Sequence, residues 1–346
     1  MNADFFRYKT RFATLAFLFA YTWLHLNLTL IYGVSRLWHL IDFSTYPSLP
    51  QPLLMPGIVQ LLQKYLPLTT AEIVFLVEFL LVTLFYLVLN ALLGIEFKKD
   101  QARLLSWLFF LLLPLVTVIN YCYTYHAAAP WFYSGDTASL LFICSGFFMC
   151  LQSRWYALYA IIFLATLNQP GSFLLVLLIP ALHWQRGMAS VLKPALIALS
   201  IYLITLFGFG LFSTRSIPWA TISDSFMNNY HWLFAGTNSL LLLFCFAGLP
   251  LFWFAFYDYI PLNYRPIRFL ALGYFLVLFT LSHFSQARIF EDIVLLMYLP
   301  ICLALKRWLI KLPPLVQTNS YGSRYAVLAL LGLIITLPLL LQGALF

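Results

Sequence analysis

Apolar segments recur along the entire 346-residue chain, and this recurrence limits its possible folds more than any short motif does. A transmembrane helix needs about 20 mostly apolar residues to cross roughly 30 Å of hydrocarbon. Only 9% of the residues are charged, against roughly 25% in an ordinary soluble domain. The composition therefore excludes a soluble enzyme. Because no polar stretch is long enough for a separate domain, the sequence predicts one transmembrane domain over 1–346.

The apolar stretches predict an all-α, polytopic helix bundle with about eleven transmembrane helices. Between the longer stretches, the segment 155–184 is divided into two short helices by Asn168-Gln169-Pro170-Gly171. Neither half comfortably spans a bilayer, and a broken backbone at membrane depth must be buried in protein or line a wet cavity. The other predicted spans are 12–34, 69–93, 104–121, 137–151, 191–212, 238–257, 268–283, 289–305 and 325–346.

The distribution of basic residues predicts the topology, because Lys and Arg collect on the cytoplasmic side of membrane proteins. With the N-terminus inside, the cytoplasmic segments hold all but four of the 19 Lys and Arg residues. We therefore expect an N-inside, C-outside membrane protein with its working face extracytoplasmic. The net charge of +8 is explained by topology, and no basic run indicates a nucleic-acid partner. The four exceptions are Arg36, Lys64, Arg215 and Arg288.

The longer connections, 35–68, 122–136 and 213–236, are all predicted to lie outside. Within the first, residues 55–66 have apolar side chains at helical spacing, with Gln60, Gln63 and Lys64 between them. This pattern is typical of an amphipathic helix in the membrane interface. Such a helix either steers a lipid-borne substrate or packs as a cap on the bundle.

Two glutamates lie in the second span. Glu72 follows Thr69 at the spacing of a capping box, which gives it a structural explanation. Glu78 lies about 13 Å along the helix from Thr69, close to mid-membrane. A charge at that depth costs at least about 2.5–3.5 kcal/mol. We therefore expect Glu78 to be either a functional carboxyl group or a partner in a buried interhelical hydrogen bond.

A charged group opens a late helix. Arg288 precedes Glu291 and Asp292 by three and four residues, so it faces both acids on a helix. A local ion-pair cluster would explain all three residues. The alternative is that Arg288, facing outside beside an apolar span, holds a phosphate or pyrophosphate group.

The outside segments also contain candidates for chemistry and substrate binding. Asp42 and Asp136 lie in aromatic-rich sequence, where a carboxylate can act as general base for a sugar hydroxyl. His126 and His231 are candidate substrate-binding residues in the same outside segments. Each acid alone is more often a solvated loop residue or a helix cap.

No metal or cofactor is predicted. The five cysteines have no CxxC spacing, and the six histidines are scattered without paired-ligand spacing. The chain also lacks GxxxxGK[ST], GxGxxG and GxSxG motifs, which argues against a nucleotide-driven pump and an α/β hydrolase.

The order of several short motifs resembles the polytopic glycosyltransferases of the GT-C type, in particular small bacterial members that use polyprenyl-phosphate sugars. YSGDT at 133–137 precedes an apolar helix, the turn SRW at 153–155 and ATLN at 165–168. This order is similar to the family's aspartate, helix, basic turn and ATLNRET. QARIF at 286–290 resembles the family's ELR-apolar motif, and PLLMP at 52–56 resembles its RPLLP segment.

The resemblance implies roles for four residues. It makes Asp42 the first-choice general base and Arg288 the contact to the donor phosphate, and it gives Asp136 and Asn168 substrate-positioning roles. Three places depart from the family pattern because neutral residues replace charges. They are Gln169-Pro170-Gly171 for Arg-Glu-Thr, Gln286 for the Glu of ELR, and Gln51 for the Arg of RPLLP.

Two functional hypotheses follow. The first is a membrane glycosyltransferase that takes a sugar from a polyprenyl-phosphate lipid and transfers it to a saccharide or protein acceptor. The second is a non-enzymatic membrane protein, either a lipid or solute transporter using Glu78 and Arg288, or an envelope-assembly subunit with partner membrane subunits. The neutral replacements favour assembly, whereas the absence of an internal repeat and the single broken-helix region disfavour transport.

Overall fold

The computed structural model describes residues 3–30, 54–114, 116, 135–208, 219–234, 246–281 and 290–315. These residues form α-helices and short 3₁₀ turns, and no β-strand occurs among them, which agrees with the predicted all-α class. The helices are α1 (Ala3–Leu30), α2 (Leu54–Tyr65), α3 (Thr70–Leu93), α4 (Lys99–Pro114), α5 (Asp136–Leu151), α6 (Trp155–Asn168), α7 (Phe173–His183), α8 (Met188–Gly208), α9 (Trp219–Phe234), α10 (Leu249–Ala255), α11 (Ile267–Leu281) and α12 (Glu291–Leu309).

Several predicted boundaries lie close to the observed ones. The amphipathic segment is helical as α2, and the break in 155–184 lies between α6 and α7, where Pro170–Ser172 forms a 3₁₀ turn. Helix α1 begins at Ala3 instead of residue 12. Its first turns carry Arg7, Lys9 and Arg11, and Arg and Lys are good helix formers that extend a helix past its apolar part.

The structure adds detail to one prediction about 213–257 and contradicts another. The predicted connection 213–236 contains the helix α9, whose buried residues include Ser225 and Asn229. Because this buried face is polar, hydrophobic periodicity does not reveal the helix. The predicted span 238–257 is not one helix in its described part: Ala247 and Gly248 have φ of 51° and 69°, and α10 begins only after them. Left-handed residues end a helical path.

Two described helices, Thr70–Leu93 and Ser190–Gly208, are long and apolar enough to cross a membrane. Four shorter apolar helices accompany them: Asp136–Leu151, Trp155–Asn168, Phe173–Arg186 and Ile267–Thr280. The count of eleven spans, and the topology built on it, remain predictions. The predicted span 325–346 lies outside the described residues.

The chain divides into two compact units, and the prediction of a single domain remains a prediction. Unit 1 is Met1–Leu111, Ala129–Val176 and Pro194–Thr214. Within it, α3 packs against α1, α2 and α5, and α5 packs against α6. The start of α3 has the predicted capping box, in which the Thr69 hydroxyl accepts from the Glu72 N–H and the Glu72 carboxylate accepts from the Thr69 N–H.

Helix α3 is apolar on both faces. Its buried face includes Ile73, Val77, Phe85 and Leu89 together with Glu78. Its opposite face is an exposed row of leucines one helical turn apart, which are 40–55% exposed. A soluble protein rarely leaves such a continuous apolar row in water. The row consists of Leu76, Leu80, Leu84 and Leu87.

Unit 2 comprises Leu112–Ala128, Leu177–Lys193 and Arg215–Phe346. Its central helix is α12, which is buried from Glu291 to Ala304 and packs against α10, α11 and the 3₁₀ turn Tyr257–Tyr259. Helix α9 packs against α11, and the Asn229 amide Nδ2 donates to the Phe279 carbonyl at 2.8 Å. This bond gives the polar face of α9 a partner.

Candidate functional site

Glu78 lies on the buried face of α3, where its side chain is only 2% exposed. Its carboxyl oxygen Oε1 accepts a hydrogen bond from the hydroxyl of Thr137, in the first turn of α5. The bond joins two helices that pack closely in unit 1. The interhelical hydrogen bond expected as one explanation of Glu78 is therefore present.

Asn168, the last residue of α6, ties the broken-helix region to the start of α5. Its amide Nδ2 donates to the carbonyl of Gly135 at 2.9 Å, and the same carbonyl also accepts from the Ser139 N–H at 2.9 Å. Asn168 is 1% exposed, and its Oδ1 has no hydrogen-bond partner among the described residues. The amide orientation is fixed, because a flip would place Oδ1 against the Gly135 carbonyl oxygen.

Asp136 lies between these two contacts, in the first turn of α5, and is partly exposed. An acid at this position suits the positive end of the helix dipole. Its carboxylate interacts electrostatically with both Glu78 on α3 and His25 on α1. Three ionisable side chains from three helices therefore come together at the start of α5.

His25 has a partner on its own helix. Its ring stacks on that of Tyr21 one turn earlier, with centroids 5.9 Å apart and planes 6° apart. The side chain is partly exposed in unit 1.

The break after α6 satisfies its own polar groups. Gln169 is extended, and its N–H donates to the Ala165 carbonyl at 2.8 Å. The Thr166 hydroxyl donates to the Ile162 carbonyl at 2.7 Å and lies 3.1 Å from the Ser172 hydroxyl. Because Thr166 has one proton, Ser172 is the donor of the second bond. The residue after α6 therefore keeps a backbone bond to the helix, and a pair of hydroxyl groups links the two sides of the break.

The structure brings together three of the predicted site residues: Asp136, Asn168 and Glu78. We name the group formed by these three with His25 and Thr137 the α5 cluster. His231 is exposed on α9 in unit 2, with its ring edge-on to Tyr230 at 5.8 Å. Asp42, His126 and Arg288 lie outside the described residues.

Sequence reasoning missed two members of the α5 cluster. His25 received no role because the histidines have no paired-ligand spacing, although an ionisable residue within an apolar span is itself a signal. Thr137 carries no such signal, because a Thr in the first turn of a helix is common. Among the described residues, no group of three or more His, Cys, Asp and Glu side chains could hold one metal ion.

Comparisons of this chain with protein-family models, with curated proteins and with solved structures find no match.

Proposed function

We propose that this chain is a GT-C-like membrane glycosyltransferase of the bacterial inner membrane. In this proposal, a bundle of about eleven helices transfers a sugar from a polyprenyl-phosphate donor to an extracytoplasmic saccharide or protein acceptor. The α5 cluster is the described part of the candidate site, and Asp42 and Arg288 keep the roles that the resemblance implies.

The observation that carries the proposal is the meeting of two separate motif segments. YSGDT and ATLN are about 30 residues apart in sequence, and Asn168 of the second bonds to Gly135 of the first. Glu78 and His25, from two further helices, interact with the same Asp136. Ionisable groups gathered within apolar helices are expensive and usually mark a substrate or ion site.

Placement in a membrane is supported by the surfaces of the helices. The exposed leucine row of α3 lies opposite Glu78, so the polar group faces protein while leucines face outward. Helix α8 likewise exposes Ile204 and Phe207 at 72% and 63%. Apolar outer faces around a polar interior group suit a lipid solvent.

The proposed chemistry needs one base and one phosphate contact. A carboxylate removes the proton from the acceptor hydroxyl, whose oxygen attacks the anomeric carbon of the sugar. The bond from that carbon to the phosphate oxygen breaks, and polyprenyl phosphate leaves with the bonding electrons. Asp42 and Asp136 are the two candidate bases, and Arg288 is the candidate phosphate contact. Asp136 is the one whose surroundings are described, and it is partly exposed, as a base that meets a substrate must be.

The test uses the full chain in lipid nanodiscs with a panel of polyprenyl-phosphate sugars labelled in the sugar. Transfer of label to envelope acceptors is measured for the native protein, for Asp136→Asn and for Asp224→Asn. Asp224 is an exposed acid on α9, so the control makes the same change outside the α5 cluster. We expect Asp136→Asn to lower transfer about 10²–10⁴-fold, the usual contribution of a general base. The control should transfer at the native rate.

Two results would contradict parts of the proposal. If Asp136→Asn transfers label as fast as the native protein, Asp136 is not the base and Asp42 becomes the residue to change. If the native protein transfers no label from any donor in the panel, the glycosyltransferase proposal fails.

The second candidate is a non-catalytic assembly subunit or a transporter. The bond between Glu78 and Thr137 favours the assembly subunit, because a carboxyl group that joins two helices has a structural role. Loss of a proton-coupled flux in Glu78→Gln would support transport. Copurification with a stable membrane partner, without binding of lipid-linked sugar, would support assembly.

A further inference from the structure

A second cluster of charged side chains lies in unit 2, where α10 leads through the turn Tyr257–Tyr259 into α11. We name Arg265 and Arg268 with Tyr257 the basic cluster; Arg307 lies on α12, the helix against which the turn packs. Arg265 and Arg268 flank the start of α11, and Arg307 is in the last turn of α12. The turn packs against α12, and the rings of Phe256 and Trp308 lie 5.2 Å apart.

One tyrosine ring is shared by two guanidinium groups. The Cζ atoms of Arg265 and Arg268 lie 4.6 Å and 5.0 Å from the centroid of the Tyr257 ring. Arg268 Nη1 also donates to the Tyr257 hydroxyl at 2.5 Å, and Arg265 Nε donates to the Ile260 carbonyl at 3.1 Å. These contacts fix the direction of both side chains.

Two guanidinium nitrogens in this region lack hydrogen-bond partners. Arg265 Nη2 and Arg307 Nε are buried and have no hydrogen-bond partner among the described residues. None of the three arginines forms an ion pair with a carboxylate in the described part of the chain. A buried donor without an acceptor is destabilising, and more so when it is charged.

Repulsion adds to this cost. Since both guanidinium carbons lie within 5.0 Å of one ring centroid, the two charges are separated by less than about 10 Å, one Debye length at 0.1 M salt. Held that close, they repel each other, and an anion bound beside them would relieve the repulsion. Arg is suited to such an anion, because its planar donor fork matches phosphate oxygens bidentately.

An apolar stripe begins beside these charges. Phe269, Leu272 and Leu276 on α11 are 63%, 57% and 56% exposed, and they follow one face of the helix away from Arg268. At the end of α12, Trp308 is 47% exposed. A ligand that carries both a phosphate and an acyl chain would fit here, with the phosphate against the arginines and the acyl chain along the apolar stripe.

We propose that the basic cluster binds the phosphate of an anionic phospholipid from the cytoplasmic leaflet, with an acyl chain along the α11 stripe. The positive-inside rule places all three arginines on that side, where anionic lipids attract basic protein surfaces. The proposal relies on the membrane placement of this chain and is independent of glycosyl transfer.

The test measures lipid binding to the purified full chain in neutral detergent. Native mass spectrometry counts retained phosphatidylglycerol or phosphatidylcholine, and a parallel melting curve records protection by each lipid and by inorganic phosphate. The variant Arg265→Lys with Arg268→Lys keeps both charges but removes the planar forks. The variant Arg265→Gln with Arg268→Gln removes the charges, and Lys98→Gln with Lys99→Gln removes two exposed charges elsewhere on the predicted cytoplasmic side.

We expect the native protein to retain phosphatidylglycerol over phosphatidylcholine and to melt higher with it. Both arginine variants should bind it at least about fivefold more weakly, because Lys cannot replace a bidentate, ring-stacked Arg. The lysine control should bind as the native protein does. If the Arg265→Lys, Arg268→Lys variant binds phosphatidylglycerol as tightly as the native protein does, the two arginines do not form a specific phosphate site. If the native protein retains phosphatidylcholine as well as phosphatidylglycerol, the anionic specificity is wrong. Protection by inorganic phosphate that matches the lipid would overturn the lipid as occupant.

Discussion

Replacement of Thr137 by Val tests whether the α5 cluster is held together by the bond to Glu78. Val has nearly the shape of Thr, so Thr137→Val removes the hydroxyl without opening a cavity. Glu78 is 2% exposed and cannot turn to bulk water for a new partner. A net hydrogen bond is worth about 0.5–1.5 kcal/mol when neutral and about 1.5–3 kcal/mol when one partner is charged. We therefore expect Thr137→Val to lower the free energy of unfolding by about 1–3 kcal/mol.

A double-mutant cycle isolates that bond from other effects of the substitution. Glu78→Leu removes the acceptor, so Thr137→Val in that background has no hydrogen bond to break. Thr137 itself is partly exposed, and its hydroxyl can find another partner when Glu78 is absent. In the Glu78→Leu background we expect Thr137→Val to cost less than about 0.5 kcal/mol, because replacing both partners by apolar groups is nearly neutral.

The assay is equilibrium unfolding of the full chain in mixed micelles with increasing denaturing detergent, followed by the fluorescence of its 10 tryptophans. The matched control is Thr83→Val on α3, since the Thr83 hydroxyl is buried with no hydrogen-bond partner among the described residues. That change should leave stability unaltered or raise it. An equal loss from Thr137→Val in the native and Glu78→Leu backgrounds would refute the reasoning.

Three further substitutions test close approaches and backbone geometry. Each is measured as a melting temperature in detergent, and the first is also measured as a rate of label transfer. Gly135→Ala adds a Cβ 3.3 Å from Asn168 Oδ1, so the Asn168 amide must shift. We expect label transfer to fall more than stability does. An unchanged transfer rate would contradict the positioning role of Asn168. Gly146→Ala brings a Cβ within 2.4 Å of Leu175 Cδ2, which should cost about 1–3 kcal/mol. Leu175→Ala in the same chain should recover part of that loss, and no recovery would contradict the contact. Gly248→Ala places a side chain at φ 69°, with an expected cost of about 1–2 kcal/mol, whereas an unchanged melting temperature would count against that backbone conformation.

The sequence predicted the described helices best where one physical signal dominates. The capping box at Thr69 is read directly from residue spacing, because both of its hydrogen bonds form within one turn. The break after Asn168 was predicted from Pro170 and Gly171, because adjacent Pro and Gly are typical of a turn.

Other elements could not be predicted because their signal lies in tertiary contacts. Among its described residues, helix α9 is polar on its buried side, and the bond from Asn229 to the Phe279 carbonyl gives that side a polar partner. The turn at Ala247 and Gly248 interrupts a run of apolar residues that hydropathy alone cannot divide, since a non-Gly residue with positive φ has no sequence signature.

For the candidate site, the sequence by itself determined which residues were unusual: Glu78 in an apolar span, Asp136 after a glycine, and Asn168 before a break. Only the tertiary structure decided that these three meet at the start of α5 and that His25 and Thr137 join them. The physical reason is that an isolated helix fixes a side chain's depth and direction, but not its neighbours. Which helix lies opposite is set by the packing of many apolar side chains, none of which marks the polar site it encloses.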